Sequence, residues 1–305
     1  MNNIWKHILT VSCICLCTSC YNDDPDNFDP DMAIRFSPAV TTSAGTKASA
    51  YPTAQPFKVW AFSLENNKSW NENAGTSLDW ITNDDAEYAE GVWRPASRKL
   101  WDSKDRALTF FAYAPSRLGM NFDKSSGLSL SQFNTLTDHT DILYTEAIAD
   151  VAKIASGGEV AIPFKHALSK VSFRMVSKGN TYVGMHIKSV SLGNVAYKGN
   201  FQSVPMRWET GSERTVLEFC EKEIVLTTDE QPLASFLVIP QDGQRPLTVT
   251  YDLYVDGKKE LVDQRLYALP ILTTWSPGNE YIYTLEITKD EVIYKTSLFD
   301  GYVNQ

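Results

Sequence analysis

Apolar residues recur at every second position along most of this chain, and the spacing of an amphipathic helix hardly occurs. The stretch "EYIYTLEIT" shows the pattern: Tyr281, Tyr283, Leu285 and Ile287 fall on one side, Ile282, Thr284 and Glu286 on the other. Side chains alternate between the two faces of a β-strand, so such a segment buries one face of a sheet. "FKVWAF" (57–62), "ALTFFAYAP" (107–115), "DILYTEA" (141–147), "KVSFRMVS" (170–177) and "HIKSVSLGNV" (186–195) read the same way. Clusters of Gly, Asn, Asp, Ser and Pro, which favour turns, separate them. In "LTVTYDLYVDGKKELVDQRLYALP", Leu247, Val249, Tyr251, Leu253 and Val255 share a face, and Asp256-Gly257 supplies the positive φ angles of a tight hairpin. Strands at short spacing without intervening helices predict an all-β chain of antiparallel β-sandwiches. The Gly-rich "IASGGEVAIP" (154–163) is the best place to divide it, giving an N-terminal domain over 32–159 and a C-terminal domain over 160–305.

The first twenty residues, "MNNIWKHILTVSCICLCTSC", have a short polar start followed by an apolar stretch from Ile8 to Cys17. A bilayer span needs about 20 apolar residues, so this length fits a secretory signal over 1–19 instead. It ends in "CTSC", which reads as a bacterial lipobox with Cys20 as the lipidated residue. The acyl chains, palmitate among them, each contribute about 0.8 kcal/mol per buried methylene and together anchor a protein stably. Of five cysteines four lie at or before position 20, which leaves Cys220 without an intramolecular disulfide partner. Residues 20–31, with "YNDDPDNFDPD", form an acidic, self-repelling tether. They lack the Gly and Glu positions of a calcium loop.

Little in the sequence points to catalysis. Beyond the signal the histidines are His139, His166 and His186, without HExxH or a cysteine pair, so no metal site or cofactor is expected. GxSxG, GxGxxG and GxxxxGK are absent, and the expectation is a protein that is not an enzyme. The net charge of −9 argues against nucleic acid as a partner. Eight tryptophans raise the question of sugar stacking. Trp60 lies in a strand, and Trp101 and Trp275 lie near strand starts. Trp70, Trp80 and Trp93 flank polar loops and are the candidate ligand aromatics, although a loop tryptophan more often folds back over a core. His166, just before a strand, reads as a hydrogen-bonded structural residue at an interdomain junction.

Two stretches carry a different kind of signal. "MAIRFS" has the pattern of a core strand, with Met32, Ile34 and Phe36 pointing one way, and a first strand is expected over 32–40. It runs into "SPAVTTSAGTKASAYP" (37–52), a run of small and turn-forming residues whose one basic residue is Lys47. Exposed loops of this composition are where proteases cut. At the other end "DEVIYKTSLFDGYVNQ" (290–305) places Val292, Tyr294, Thr296 and Leu298 on one face. It is either the last strand of its own domain or a strand donated to another chain.

Taken in order, the "CTSC" lipobox, "MAIRFSPAV" with "TKASAYPTAQPFKVWAFSL", "WRPASRKLWDSKDRALTFFAYAP", "IPFKHALSKVSF" and "WSPGNEYIYTLEIT" resemble the fimbrillin family of Bacteroidetes, the subunits of type V pili. The resemblance implies two tandem transthyretin-like β-sandwiches. It implies a lipoprotein exported to the outer membrane and exposed at the cell surface, in a fimbrium. A trypsin-like protease would cut after Lys47, leaving Ala48 as the new N-terminus. Arg35, the rival site, lies within the strand. Loss of the first strand would open a groove that another subunit fills by β-strand addition, and the outcome would be adhesion to a host or microbial surface ligand. The alternative is a monomeric surface lipoprotein that binds glycans through Trp70, Trp80 and Trp93.

Overall fold

The computed structural model describes residues 29–42, 48–65, 68–103, 106–179, 183–220 and 222–302. The first half of the chain contributes β1 (Arg35–Thr41), β2 (Ala48–Ala50), β3 (Phe57–Ser63), β4 (Leu78–Ala89), β5 (Val92–Pro95), β6 (Ala107–Ala114), β7 (Asn121–Asp123), β8 (Gly127–Asn134), β9 (Leu143–Tyr144), β10 (Ile148–Ala152) and β11 (Glu159–His166). The second half contributes β12 (Ser169–Ser177), β13 (Val183–Val195), β14 (Lys198–Ser203), β15 (Met206–Thr210), β16 (Thr215–Phe219), β17 (Ile224–Val225), β18 (Gln231–Val238), β19 (Leu247–Val255), β20 (Lys258–Tyr267), β21 (Asn279–Ile287) and β22 (Val292–Asp300). Among the described residues α-helix is confined to single turns such as Trp70–Asn73.

The N-terminal sheet runs β10-β6-β3-β4-β5-β1-β11-β9, with β2 attached to β1. Because β9 also pairs with β6, it closes on itself. Inside lie Ile34, Phe36, Phe57, Phe110, Trp101 and Phe164. The near-continuous apolar runs of β3 and β6 follow from burial on both faces. Phe57, Val59, Phe110 and Ala112 face this core, whereas Trp60, Phe62, Phe111 and Tyr113 face a second one.

That second core joins the two halves of the chain. It lies beside a four-stranded sheet, β15-β14-β8-β7, in which β8 from the first half pairs with β14 from the second. Phe201 on β14 is 2% exposed and packs edge-on against Tyr144 of β9, with centroids 5.1 Å apart. Truncating a buried ring costs about 3–5 kcal/mol, so Phe201→Ala should lower the melting temperature by several degrees and loosen the joint. Thermal unfolding by circular dichroism checks this.

The division expected between 159 and 160 falls at the start of β11, which pairs with β1 and β9 in the N-terminal sheet. Gly157 and Gly158, at φ +64° and +82°, shape the turn into that strand and not a linker. The chain passes into the second sandwich at the fully buried Ala167 and Leu168. There the sheet β18-β12-β21-β22 faces the sheet β16-β13-β19-β20 across Phe173, Ile187, Val190, Val249, Tyr283 and Leu285. The predicted hairpin is present: β19 and β20 pair, and Asp256 and Gly257 take φ +47° and +73°. Among the described residues strand pairing is antiparallel except for β1 with β11 and β12 with β21, which are parallel. Alternation within a strand carries no information about the direction of its neighbour, so those two pairs were not legible.

Candidate functional site

The geometry that matters lies at the first and last strands. β1 begins at Arg35, three residues later than expected, because Pro30–Met32 form a 3-10 turn and Ala33 makes a single bridge to Leu100. The facing of the side chains nevertheless follows the alternation. Ile34 and Phe36 are 1% and 2% exposed, Met32 packs at the rim of the core, and Arg35 and Ser37 point outward. Phe36 meets Phe57 and Phe110 edge-on at 5.8 and 6.1 Å. These are contacts of a core strand, each aromatic pair adding about 0.5–1.5 kcal/mol to area burial.

The backbone of β1 is held unevenly. On one side it pairs with β11 from Arg35↔Glu159 through Val40↔Phe164, and Thr41 Oγ1 donates to the Phe164 carbonyl at 3.0 Å. On the other side it meets β5 through the single pair Phe36↔Trp93, and a cleft of about 310 Å³ opens between them. β2 adds Ala39↔Ala50, Val40↔Ser49 and Thr41↔Ala48, and its three residues are all exposed. Lys47 lies outside the described residues, in the chain that joins Thr42 to Ala48. Arg35 sits inside the ladder, its amide bonded to the Gly158 carbonyl at 3.2 Å. Just past β2, Tyr51 is buried against Phe57, Trp93 and Phe164 and belongs to the body that β1 packs on. Burial pushes its phenol well above the ordinary range.

At the other end β22 pairs with β21 along its whole length, from Ile287↔Val292 to Asn279↔Asp300, and forms an edge of its sheet. Of the two open readings of this tail, it is therefore the last strand of its own domain in this structure. Its hold is light. Val292 is buried and Tyr294 packs on Tyr283 at 5.8 Å, but from Lys295 to Asp300 every side chain is exposed, Leu298 at 60% and Phe299 at 51%. Such an edge carries unpaired backbone groups, and Leu298 and Phe299 stand exposed along it.

The tryptophans are placed by packing. Trp93 and Trp70 are 6% and 5% exposed and lie in the N-terminal core and in the core that joins the two halves. Trp80 is half-buried, with its indole N–H on the Leu100 carbonyl at 2.8 Å. Trp70 and Trp93 thus fold back over cores, the commoner fate for a loop tryptophan, and Trp80 does so in part. The helical turn at Trp70, whose amide is bonded to Asp150, rolls the ring onto Phe62 and Phe111, which polar flanks in the sequence do not reveal. His166 is buried at the junction with its Nδ1 on Asp141. Asp141 and Tyr302, which sequence reasoning did not single out, meet there across 161 residues. Cys20, with the segment 1–28, lies outside the described residues. Among the described residues no group of three or more His, Cys, Asp or Glu is placed to hold a metal ion.

Comparison with known proteins shows what the chain is similar to. Fimbrium subunit Fim1C of Phocaeicola vulgatus is 22% identical over 190 residues, 55% of this chain and 50% of that protein, so the chain spans half the length of this relative. Among solved structures, a fimbrial protein from Bacteroides vulgatus has TM-score 0.69 at 15% identity, covering 88% of this chain and 99% of that one. A structure described as that of a cell adhesion protein, from Bacteroides ovatus, has TM-score 0.57 at 13% identity, covering 90% of this chain and 99% of that one. At these identities the structures show a shared fold. The family described as fimbrillin-like matches residues 46–298, most of the sequence, and the chain belongs to that family.

Proposed function

We propose that the chain is a fimbrial subunit, made as a lipoprotein through Cys20, carried to the outer membrane, and assembled after a trypsin-like protease cuts behind Lys47. The reading is carried by the construction of β1. It is a core strand by its side chains, yet it meets β5 in one pair, and its covalent link to the body runs through the segment that holds Lys47. A cut there leaves β1 attached only by non-covalent contacts. The family match begins at residue 46 and so spans the body that would remain.

Loss of β1 would expose the edge of β11 and the pocket formed by Phe57 and Phe110. β22 of another copy has the chemistry to fill it. Its face Val292, Tyr294, Thr296, Leu298 repeats the order of the β1 face Ile34, Phe36, Pro38, Val40: aliphatic, aromatic, small, aliphatic. In its own domain β22 has one ladder and buries little beyond Tyr294, whereas in the groove it gains a buried face. Completing a sandwich with roughly 600 Å² of apolar area contributes on the order of 15 kcal/mol gross before ordering costs, enough for a durable fibre. With Trp70 and Trp93 in cores and Trp80 half-buried, glycan binding by a monomer has no observation in its favour.

A synthetic peptide of residues 290–303 tests the groove. Trimmed protein should bind it saturably and stop polymerising, while the uncut precursor should not bind. Equal binding to both, or to neither, would count against β1 as the occupant of the donor groove.

A further inference from the structure

After Asp300 the chain does not trail away from the molecule. Gly301 takes φ +78°, its amide bonds to the Gly278 carbonyl at 3.0 Å, and Tyr302 turns into the seam between the two halves. The ring is 5% exposed and stacks on His166 with centroids 4.0 Å apart. Its hydroxyl donates to Asp141 Oδ1 at 3.1 Å, with the Leu168 carbonyl at 3.3 Å. Burial, with the charge of Asp141 beside it, pushes the phenol well above its ordinary value, so it remains a donor at neutral pH.

The other wall of this seam is the end of the first strand. A Cβ on Gly301 would stand 2.7 Å from Thr42 Cγ2, so the Thr42 side chain lies directly against the Gly301 backbone. A cleft of about 670 Å³ beside them is lined by Thr42 after β1, by Ala48 and Ser49 of β2, and by Leu298 and Phe299 from β22. His166, on which Tyr302 stacks, ends β11, the strand that β1 zips against. An edge strand with exposed side chains frays readily unless its far end is fixed. Here the side chain that fixes it is Tyr302, since from Lys295 to Asp300 the strand is held by its ladder to β21 and by the Lys295–Glu286 ion pair, with no side chain buried.

We propose that Tyr302 is a latch that holds β22 on its own domain while the first strand is in place. The cut that opens the groove then also loosens the strand that fills a neighbour's. This rests on the reading of β22 as donor. Removing residues up to Lys47 would take away Thr42, the wall against Gly301, and strip from β11 the ladder that ends at Phe164, two residues before His166, which would then be held, apart from Tyr302, by β9 and Asp141. The uncut precursor thus keeps both its groove and its donor strand closed, which prevents assembly before processing.

Hydrogen exchange on the full chain, followed by mass spectrometry, tests this. In the precursor, Tyr302→Ala should raise exchange over residues 295–300 by about tenfold or more, with β13 and β19 unchanged. Tyr302→Phe, which keeps the stack and loses the hydroxyl bond, should fall between. Trimming should give a rise of the same size, measured with Leu298→Asp present to keep the trimmed protein monomeric, and Tyr302→Ala should then add little. Wild-type exchange in the Tyr302→Ala precursor, or unchanged protection after trimming, would overturn the latch and leave strand-exchange assembly standing. A loosened β22 in wild-type trimmed protein that never polymerises would instead uphold the latch and remove the assembly reading.

Discussion

Lys47→Ala precursor, exposed to a trypsin-like protease under conditions that polymerise the wild type, should stay full-length and monomeric. The expected effect is close to all-or-none. A trypsin-like enzyme needs a basic residue before the scissile bond, and between residues 37 and 52 Lys47 is the one available. Arg35 does not substitute easily. Its side chain is exposed, but its amide bonds to Gly158 and its backbone pairs with Glu159, so cleavage there first requires β1 to leave β11. A protease works on extended, unpaired backbone, and local opening of a paired core strand is rare. The variant should melt with the wild type, so loss of fibres would reflect loss of the cut. Fibres from Lys47→Ala would require another site or another mechanism.

Leu298→Asp should separate folding from assembly. In the single chain Leu298 is 60% exposed, so a carboxylate there meets water and should leave the melting temperature within a degree or two. In the groove the same position would be buried opposite apolar side chains. An unpaired carboxylate out of water costs several kcal/mol, about a thousandfold or more in the strength of each junction. Trimmed Leu298→Asp should therefore remain monomeric on a sizing column. Its own groove is intact, so mixed with trimmed wild type it should accept a donor but offer none, and shorten the fibres. Fibres of normal length from the variant alone would show that this face of β22 is not the one buried.

The all-β class was legible because alternation is a local property of each strand. Tyr281, Tyr283 and Leu285 face the core of their sandwich as their spacing demands, and Asp256-Gly257 turns where its backbone preference predicts. The facing of Ile34 and Phe36 was legible for the same reason. What stayed hidden depends on contacts between distant segments. The shared sheet of β8 with β14 makes residues 121–134 part of the joint, and nothing in "GLSLSQFN" says so. The burial of Trp70 and Trp93 follows from aromatic neighbours supplied by other strands. The seam at Asp141, His166, Leu168 and Tyr302 is assembled from three parts of the chain, each of them ordinary when read alone. Tyr302 in particular follows an exposed strand end, which by sequence reads as a tail.

The central claim is that removal of β1 behind Lys47 triggers assembly, and its most direct test joins two readings on one sample. Full-length precursor is treated with limiting trypsin, sized at intervals, and the N-terminus of every oligomeric species is sequenced. The account predicts monomer before treatment, then a rising series of oligomers whose subunits begin at Ala48. Oligomers whose subunits still carry residues 32–41, or a clean cut at Ala48 with no change in size, would contradict it.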